Sequence, residues 1–313
     1  MQTPLTDLLA IDHPLLLAPM GTVAGGKLCA AVSDAGGLGL LGGGYGDAQW
    51  LERELDLLEG KRFGVGFITW SLARQPELLD LALEHRPEAV MFSFGEASAF
   101  VAKAAASGAK TICQVQSLAA ARQARDWGAD IIVAQGTEAG GHGGARSTFT
   151  LVPAVVDAVA PLPVVAAGGV ADGRGLAAAL MLGATGVLIG TRFFASDEAL
   201  AAHGVKQRLL SAAGDETQRT RVFDLVRGYP WPDHFTGRAV ANDFLQRWHG
   251  REAALSADLE AEQARYFEAT ARGDADTAVV FGGECLDLIA EQKPAAQIVA
   301  EIMQEAQARL SRF

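Results

Sequence analysis

One rhythm constrains this chain more than any other feature. Through its first two thirds, short and nearly continuous apolar runs end in small or polar residues, and each gives way to an Ala/Leu-rich stretch of helical period. Eight such runs occupy residues 15–20, 38–44, 63–68, 89–95, 110–116, 131–136, 163–169 and 186–193, beginning 21–32 residues apart. A strand that is apolar on both faces belongs in a parallel sheet covered by helices, because a strand with one wet face would alternate. The segments 24–35, 48–58, 77–85, 97–107, 118–127, 151–160 and 174–182 read as helices, several stopping at a glycine such as Gly108, Gly128 or Gly183. Eight strand–helix repeats predict a (β/α)8 TIM barrel. A doubly wound open sheet would carry a GxGxxG loop after its first strand, and Met20-Gly21-Thr22-Val23-Ala24-Gly25 is not one.

After about residue 195 the rhythm stops. A more polar section follows, with helical candidates at 203–213, 238–248, 255–271 and 295–310, and with a proline-rich stretch, Tyr229-Pro230-Trp231-Pro232, unsuited to a helix interior. The expected organisation is a barrel over 1–200 and a mostly helical appendage over 201–313. Part of the appendage would cap the barrel mouth and its last helix would pack back on the barrel wall.

The 37 acidic and 26 basic residues leave a formal charge of -11, which argues against a nucleic-acid partner. Cys29, Cys113 and Cys285 stand far apart and odd in number, giving neither a disulfide framework nor zinc-ligand spacing, so no metal and a reduced, cytoplasmic setting are expected. No basic segment precedes a long apolar stretch at the N-terminus, residue 2 is Gln2, and every apolar run falls short of a bilayer span. No leader, lipid anchor or membrane partner is expected. A homodimer through helix faces of the appendage stays open.

In a barrel, function sits where strands end, and these ends hold many of the 36 glycines. The sixth strand runs into Gln135-Gly136-Thr137-Glu138-Ala139-Gly140-Gly141-His142-Gly143-Gly144, the seventh into Gly168-Gly169, the eighth into Gly190-Thr191. Glycine lets backbone approach a ligand closely and aim successive N–H groups at one anion, so the last two loops read as a phosphate cradle. His142, the one histidine set in a glycine-rich strand end, reads as unshielded at the mouth, able to accept a proton or steady an anion. Glu138 and Arg146 flank it, and solvated loop charges are the plainer account of both. No GxSxG, P-loop or HExxH appears, which points to a bound cofactor as the carrier of the chemistry.

The residues also resemble a known family. Leu17-Ala18-Pro19-Met20, Ala31-Val32-Ser33-Asp34-Ala35-Gly36-Gly37-Leu38-Gly39, the Gln135 to His142 run, Ala166-Ala167-Gly168-Gly169-Val170 and Gly190-Thr191-Arg192-Phe193 together look like the nitronate monooxygenases, formerly 2-nitropropane dioxygenases. The likeness is collinear through the barrel and continues more weakly through Arg238, Asn242, Phe244 and Trp248. It implies FMN in the barrel mouth, with Ala18, Pro19, Met20 and Gly21 beside the flavin ring. It implies Gln135, Ala139, Gly140, Gly141, Gly168, Gly169, Gly190 and Thr191 along the cofactor toward its phosphate, and His142 facing substrate. The implied reaction takes an alkyl nitronate and O2 to a carbonyl compound and nitrite. Three places depart from the family pattern: Thr69 follows the third strand where an Asn is frequent, Gln114 stands where some members carry a lysine, and Phe281-Gly282-Gly283-Glu284-Cys285 replaces a Gly-Gln-Gly element. Thr69 and Gln114 remain candidate flavin contacts. A flavin-dependent enoyl-acyl-carrier-protein reductase, taking hydride from NAD(P)H, and a non-catalytic barrel binding a phosphorylated metabolite are the alternatives.

Overall fold

A computed structural model of the chain describes residues 1–312, so Phe313, the end of the expected second unit, lies outside the described residues. The strands are β1 (Leu15–Leu17), β2 (Leu40–Gly42), β3 (Gly64–Ile68), β4 (Ala89–Ser93), β5 (Lys110–Val115), β6 (Ile131–Gln135), β7 (Gly141–Gly143), β8 (Val164–Ala167), β9 (Gly186–Ile189), β10 (Thr217–Thr220) and β11 (Thr236–Val240). Eight of them form one parallel sheet in the order β1-β9-β8-β6-β5-β4-β3-β2. Its two ends meet where Leu17 N donates to Leu38 O and Leu38 N to Leu15 O, nearly closing the predicted TIM barrel.

The doubly apolar strands are explained by where alternate residues point. Ala89 and Met91 face the barrel interior with Leu16, Leu40, Ile112, Val133 and Val165, whereas Val90 and Phe92 lie under the helices with Leu41, Val65, Ile132 and Val187. A side-chain period of two sends neighbours to opposite faces, and here both faces are dry. The helix Pro4–Leu9 plugs the end where strands begin, adding Leu5 and Leu9 to the interior cluster. At the other end, two strand glycines admit the chain that leaves β1. A Cβ on Gly42 would stand 2.1 Å from Gly21 O, and one on Gly66 would stand 2.2 Å from Pro19 Cγ. Neither contact is tolerable, so glycine there holds the Ala18 to Gly21 turn against β2 and β3.

The section after the barrel departs from the sequence reading in one respect. Residues 238–248, expected to be helical throughout, begin as the end of β11 and turn helical only over Asp243–Trp248, after Asn242 Oδ1 accepts from Leu245 N at 3.0 Å. The reason is long-range: β11 pairs antiparallel with β10 on one side and with β7, from the barrel's own glycine loop, on the other. Local periodicity carries no trace of a partner strand such as β7, about a hundred residues away. The helices His203–Ser211, Leu259–Ala271 and Ala295–Leu310 fall where expected. The last lies against the helices Gly173–Met181 and Gly26–Asp34, with Ile298, Val299, Ile302 and Met303 in the barrel's outer core. Among the described residues no helix is long and apolar enough to cross a membrane, and no group of three or more His, Cys, Asp or Glu is placed to hold a metal ion.

Candidate active site

The loop between β6 and β8 is built as a small scaffold. Glu138 accepts from Thr148 N and Thr148 Oγ1, tying the loop to the helix that follows, and Arg146 donates to Thr150 O. Neither charge touches His142, so both are structural loop groups. Gln135 accepts from Gln116 Nε2 at 2.8 Å and donates through Nε2 to His142 O at 3.0 Å, so its amide positions β7 beside β6. From the other side, Arg219 and Arg238, opposite each other on β10 and β11, both donate to Thr137 O. Burial, then the charge of Arg238, brings Arg219 down to about 10.

This scaffold sets His142 opposite Gly237, and the expectation of an unshielded imidazole is corrected. His142 is only 7% exposed. Its flanking glycines do leave it bare within its own strand, but the chain after the barrel covers it. The Trp231 indole stacks on the imidazole, with centroids 3.5 Å apart and planes 3° from parallel. Tyr45, Trp70, Phe94 and Phe235 stand around that indole, and Trp231 Nε1 donates to Tyr45 Oη at 3.2 Å. Phe94 is held at φ 66°, a left-handed conformation uncommon for a bulky residue, just past the end of β4.

His142 also has a partner that sequence reasoning missed. Asp224, 4% exposed on the helix Val222–Arg227, lies with Oδ1 2.8 Å from His142 Nε2. A carboxylate oxygen accepts, so Nε2 carries the proton and Nδ1 keeps its lone pair in the neutral ring. The one available signal was a lone acid among Val222, Phe223 and Val226, inside a segment too short to show a helical period.

Burial lowers the His142 pKa below its ordinary 6.5, the Asp224 hydrogen bond and charge pull it back up, and Arg227 and Arg219 add to the lowering. The unfolded chain therefore takes up a proton near pH 6.5 that the folded chain refuses until lower pH. The stability this group contributes is fully present above pH 6.5 and is lost as the pH falls from there toward the lowered value of the folded chain. Thermal melts between pH 7.5 and 5.5 should show Tm falling with pH, and the fall should be shallower in His142→Gln. Parallel Tm–pH lines would assign the dependence to other groups.

Several expected cofactor positions converge on the barrel mouth. Gly168 and Gly169 sit at φ 101° and 75°, and among the described residues the N–H groups of Gly168, Gly169 and Gly190 donate to no acceptor. Gly21 and Gly141 face open space. The buried Thr69 Oγ1, at the end of β3, has no hydrogen-bond partner, and the same is true of Trp70 Nε1 beside it. Thr191 Oγ1 instead accepts from Gly283 N at 3.0 Å. The segment that departs from the family element thus lies against the cradle: a Cβ on Gly140 would stand 2.7 Å from Gly283 N. Orphaned N–H groups, an orphaned hydroxyl and open glycine faces fit a flavin with its phosphate at Gly168, Gly169 and Gly190.

A family profile described as nitronate monooxygenase matches residues 2–62 and 68–305. The chain belongs to the nitronate monooxygenase family. Members are flavin-dependent oxidoreductases. The nitronate monooxygenase of Neurospora crassa is 32% identical over 349 aligned positions, covering 96% of this chain and 91% of that one. A (3aS,4S,5R,7aS)-5-hydroxy-7a-methyl-1-oxo-octahydro-1H-indene-4-carboxyl-CoA dehydrogenase of Rhodococcus jostii is 37% identical over 227 residues, 72% of this chain and 64% of that protein, so the match spans under two thirds of its length. Among solved structures, FabK from Thermotoga maritima superposes with a TM-score of 0.88 at 33% identity, covering 100% of this chain and 98% of the other. Nitroalkane oxidase from Streptomyces ansochromogenes superposes with a TM-score of 0.85 at 28% identity, covering 99% of each chain.

Proposed function

We propose that this protein oxidises alkyl nitronates with O2 to carbonyl compounds and nitrite, with FMN as its cofactor. The observation that carries the reading is the meeting, at one barrel mouth, of an N–H cradle without acceptors and a buried His142–Asp224 pair. The cradle suits a mononucleotide's single phosphate. A nitronate is already an anion, so the site has more use for donors and local positive charge than for a strong base. His142 meets that need in either state: neutral, it offers a lone pair at Nδ1, and once protonated it donates from both nitrogens while Asp224 balances the charge. The aromatic cover over His142 keeps water from the reacting groups. A bound flavin would supply the electron acceptor. Ala18, Pro19, Met20, Gly21, Thr69 and Gln114 are the residues we place beside its ring, with Ala139, Gly140, Gly141, Gly168, Gly169, Gly190 and Thr191 toward its phosphate. The expected partners are a small anionic substrate and O2, in a reduced compartment in keeping with three buried free cysteines.

The purified protein should be yellow and should release FMN, not FAD, on denaturation. Mixed anaerobically, propyl nitronate should bleach the flavin and NADH should not. The likeness to FabK, at 33% identity over the full chain, favours one second reading, an enoyl-acyl-carrier-protein reductase-like NAD(P)H oxidoreductase. Bleaching by NADH alone would select it. A colourless protein that FMN cannot reconstitute would sink both and leave a barrel that binds a phosphorylated metabolite.

A further inference from the structure

Arg227 closes the same short helix as Asp224 and faces the same aromatic cluster as His142. Its guanidinium carbon lies 4.6 Å from the Tyr229 ring, 5.4 Å from Tyr45 and 5.9 Å from Phe281, and the Phe281 ring lies 5.6 Å from that of His142. Rings attract the face of a guanidinium but accept none of its in-plane N–H bonds. Among the described residues Arg227 makes no side-chain hydrogen bond or ion pair, and its buried Nη1 has no acceptor. The acid three residues earlier, Asp224, turns its Oδ1 to His142, and among the described residues it makes no ion pair with Arg227. A buried charged donor left without an acceptor is costly, so the side chain calls for an anion from outside the fold.

The Trp231 indole shows what accompanies that anion. It lies flat on the imidazole of His142, walled by Tyr45, Trp70, Phe94 and Phe235, and its one polar bond is to the Tyr45 hydroxyl. Its segment follows Gly228, at φ 70°, with Pro230 and Pro232 on either side of the indole. The slot against His142 therefore suits a planar conjugated group.

We infer that the barrel mouth takes small molecules pairing a flat apolar body with one anionic end, the body replacing the Trp231 indole against His142 and the anion bonding Arg227. This rests on the reading of the mouth as the substrate site, and it directs that reading toward alkyl nitronates that carry an aromatic ring, and toward aromatic carboxylates, over small purely aliphatic or neutral compounds. It also supplies the local attraction that a chain of net charge -11 lacks at long range.

Calorimetric titration of the protein as isolated, with benzoate, benzamide and acetate, tests the assignment without requiring turnover. Benzoate should bind at least tenfold more tightly than benzamide, which has the ring without the charge, and than acetate, which has the charge without the ring. Arg227→Met keeps the length and apolar packing of the side chain. It should cost benzoate at least tenfold and leave benzamide within about twofold, and Arg227→Lys should recover part of the loss. Equal binding of benzoate and benzamide by the unmodified protein, or undiminished benzoate binding by Arg227→Met, would overturn the assignment. Flavin absorbance on the same samples separates the two readings. A colourless protein with the benzoate preference keeps this subsite and loses the flavin, and a yellow protein indifferent to benzoate does the reverse.

Discussion

Replacing His142 by asparagine should lower turnover of a nitronate by about 10²–10⁴-fold, the range spanned by positioned acid–base groups, while the flavin stays bound. The size follows from how much of the site converges on this ring. Gln135 holds its backbone, Asp224 sets which nitrogen carries the proton, and burial keeps the ring neutral at ordinary pH. Asparagine is smaller than the imidazole and cannot take a proton, and its amide stops short of the Nε2 position that bonds Asp224. Oxygen uptake measures the loss, and the visible spectrum of the same sample reports flavin content. Unchanged turnover would remove His142 from the mechanism, whereas a colourless variant would make its role structural. Asp224→Asn adds a test of the pair: with no carboxylate to hold a protonated ring, the acid limb of the pH–rate profile should move to lower pH.

A fragment ending at residue 200, the expected boundary between barrel and appendage, should fail to fold. The barrel as an eight-strand sheet is complete by β9, but its wall is not. The helix Ala295–Leu310 covers the gap between the helices Gly26–Asp34 and Gly173–Met181, burying Ile298, Val299, Ile302 and Met303. Its backbone comes so close that a Cβ on Gly173 would stand 2.4 Å from Ala306 N. At about 1.5–3 kcal/mol for each large buried side chain, those four contribute about 6–12 kcal/mol. That rivals the whole stability of an ordinary domain, about 5–15 kcal/mol. The fragment should therefore melt without a cooperative transition and bind hydrophobic dyes, as should a chain cut after residue 294. A cooperative melt of the 1–200 fragment would make the two sections independent units.

Legibility tracks the range of the interaction. The strands from β3 to β6 were readable because each is a local run whose two apolar faces are written in consecutive residues, as in Ala89 to Phe92. The glycines of the mouth were readable as a type: a Gly-Gly pair at a strand end permits the positive φ that Gly168 and Gly169 adopt. The outer sheet was not readable, because β11 owes its form to partners at 141–143 and 217–220. The alternation in Thr-Gly-Arg-Ala-Val is too short to outweigh the helical residues after it. His142 was found from its loop, and its burial was missed because the cover comes from residue 231.

By itself, then, the sequence determined the barrel, the end of it that carries chemistry, and the family. Those follow from local periodicity and from backbone freedom that single residue types confer. Only the tertiary structure decided that His142 is paired with Asp224, stacked under Trp231 and accompanied by an Arg227 without an acceptor. Asp224, Arg227 and Trp231 lie 82 to 89 residues further along the chain, and no local pattern records that distance. The antiparallel pairing of β7 with β11 is the physical event that brings them to one mouth, and the chemistry exists only once it has formed.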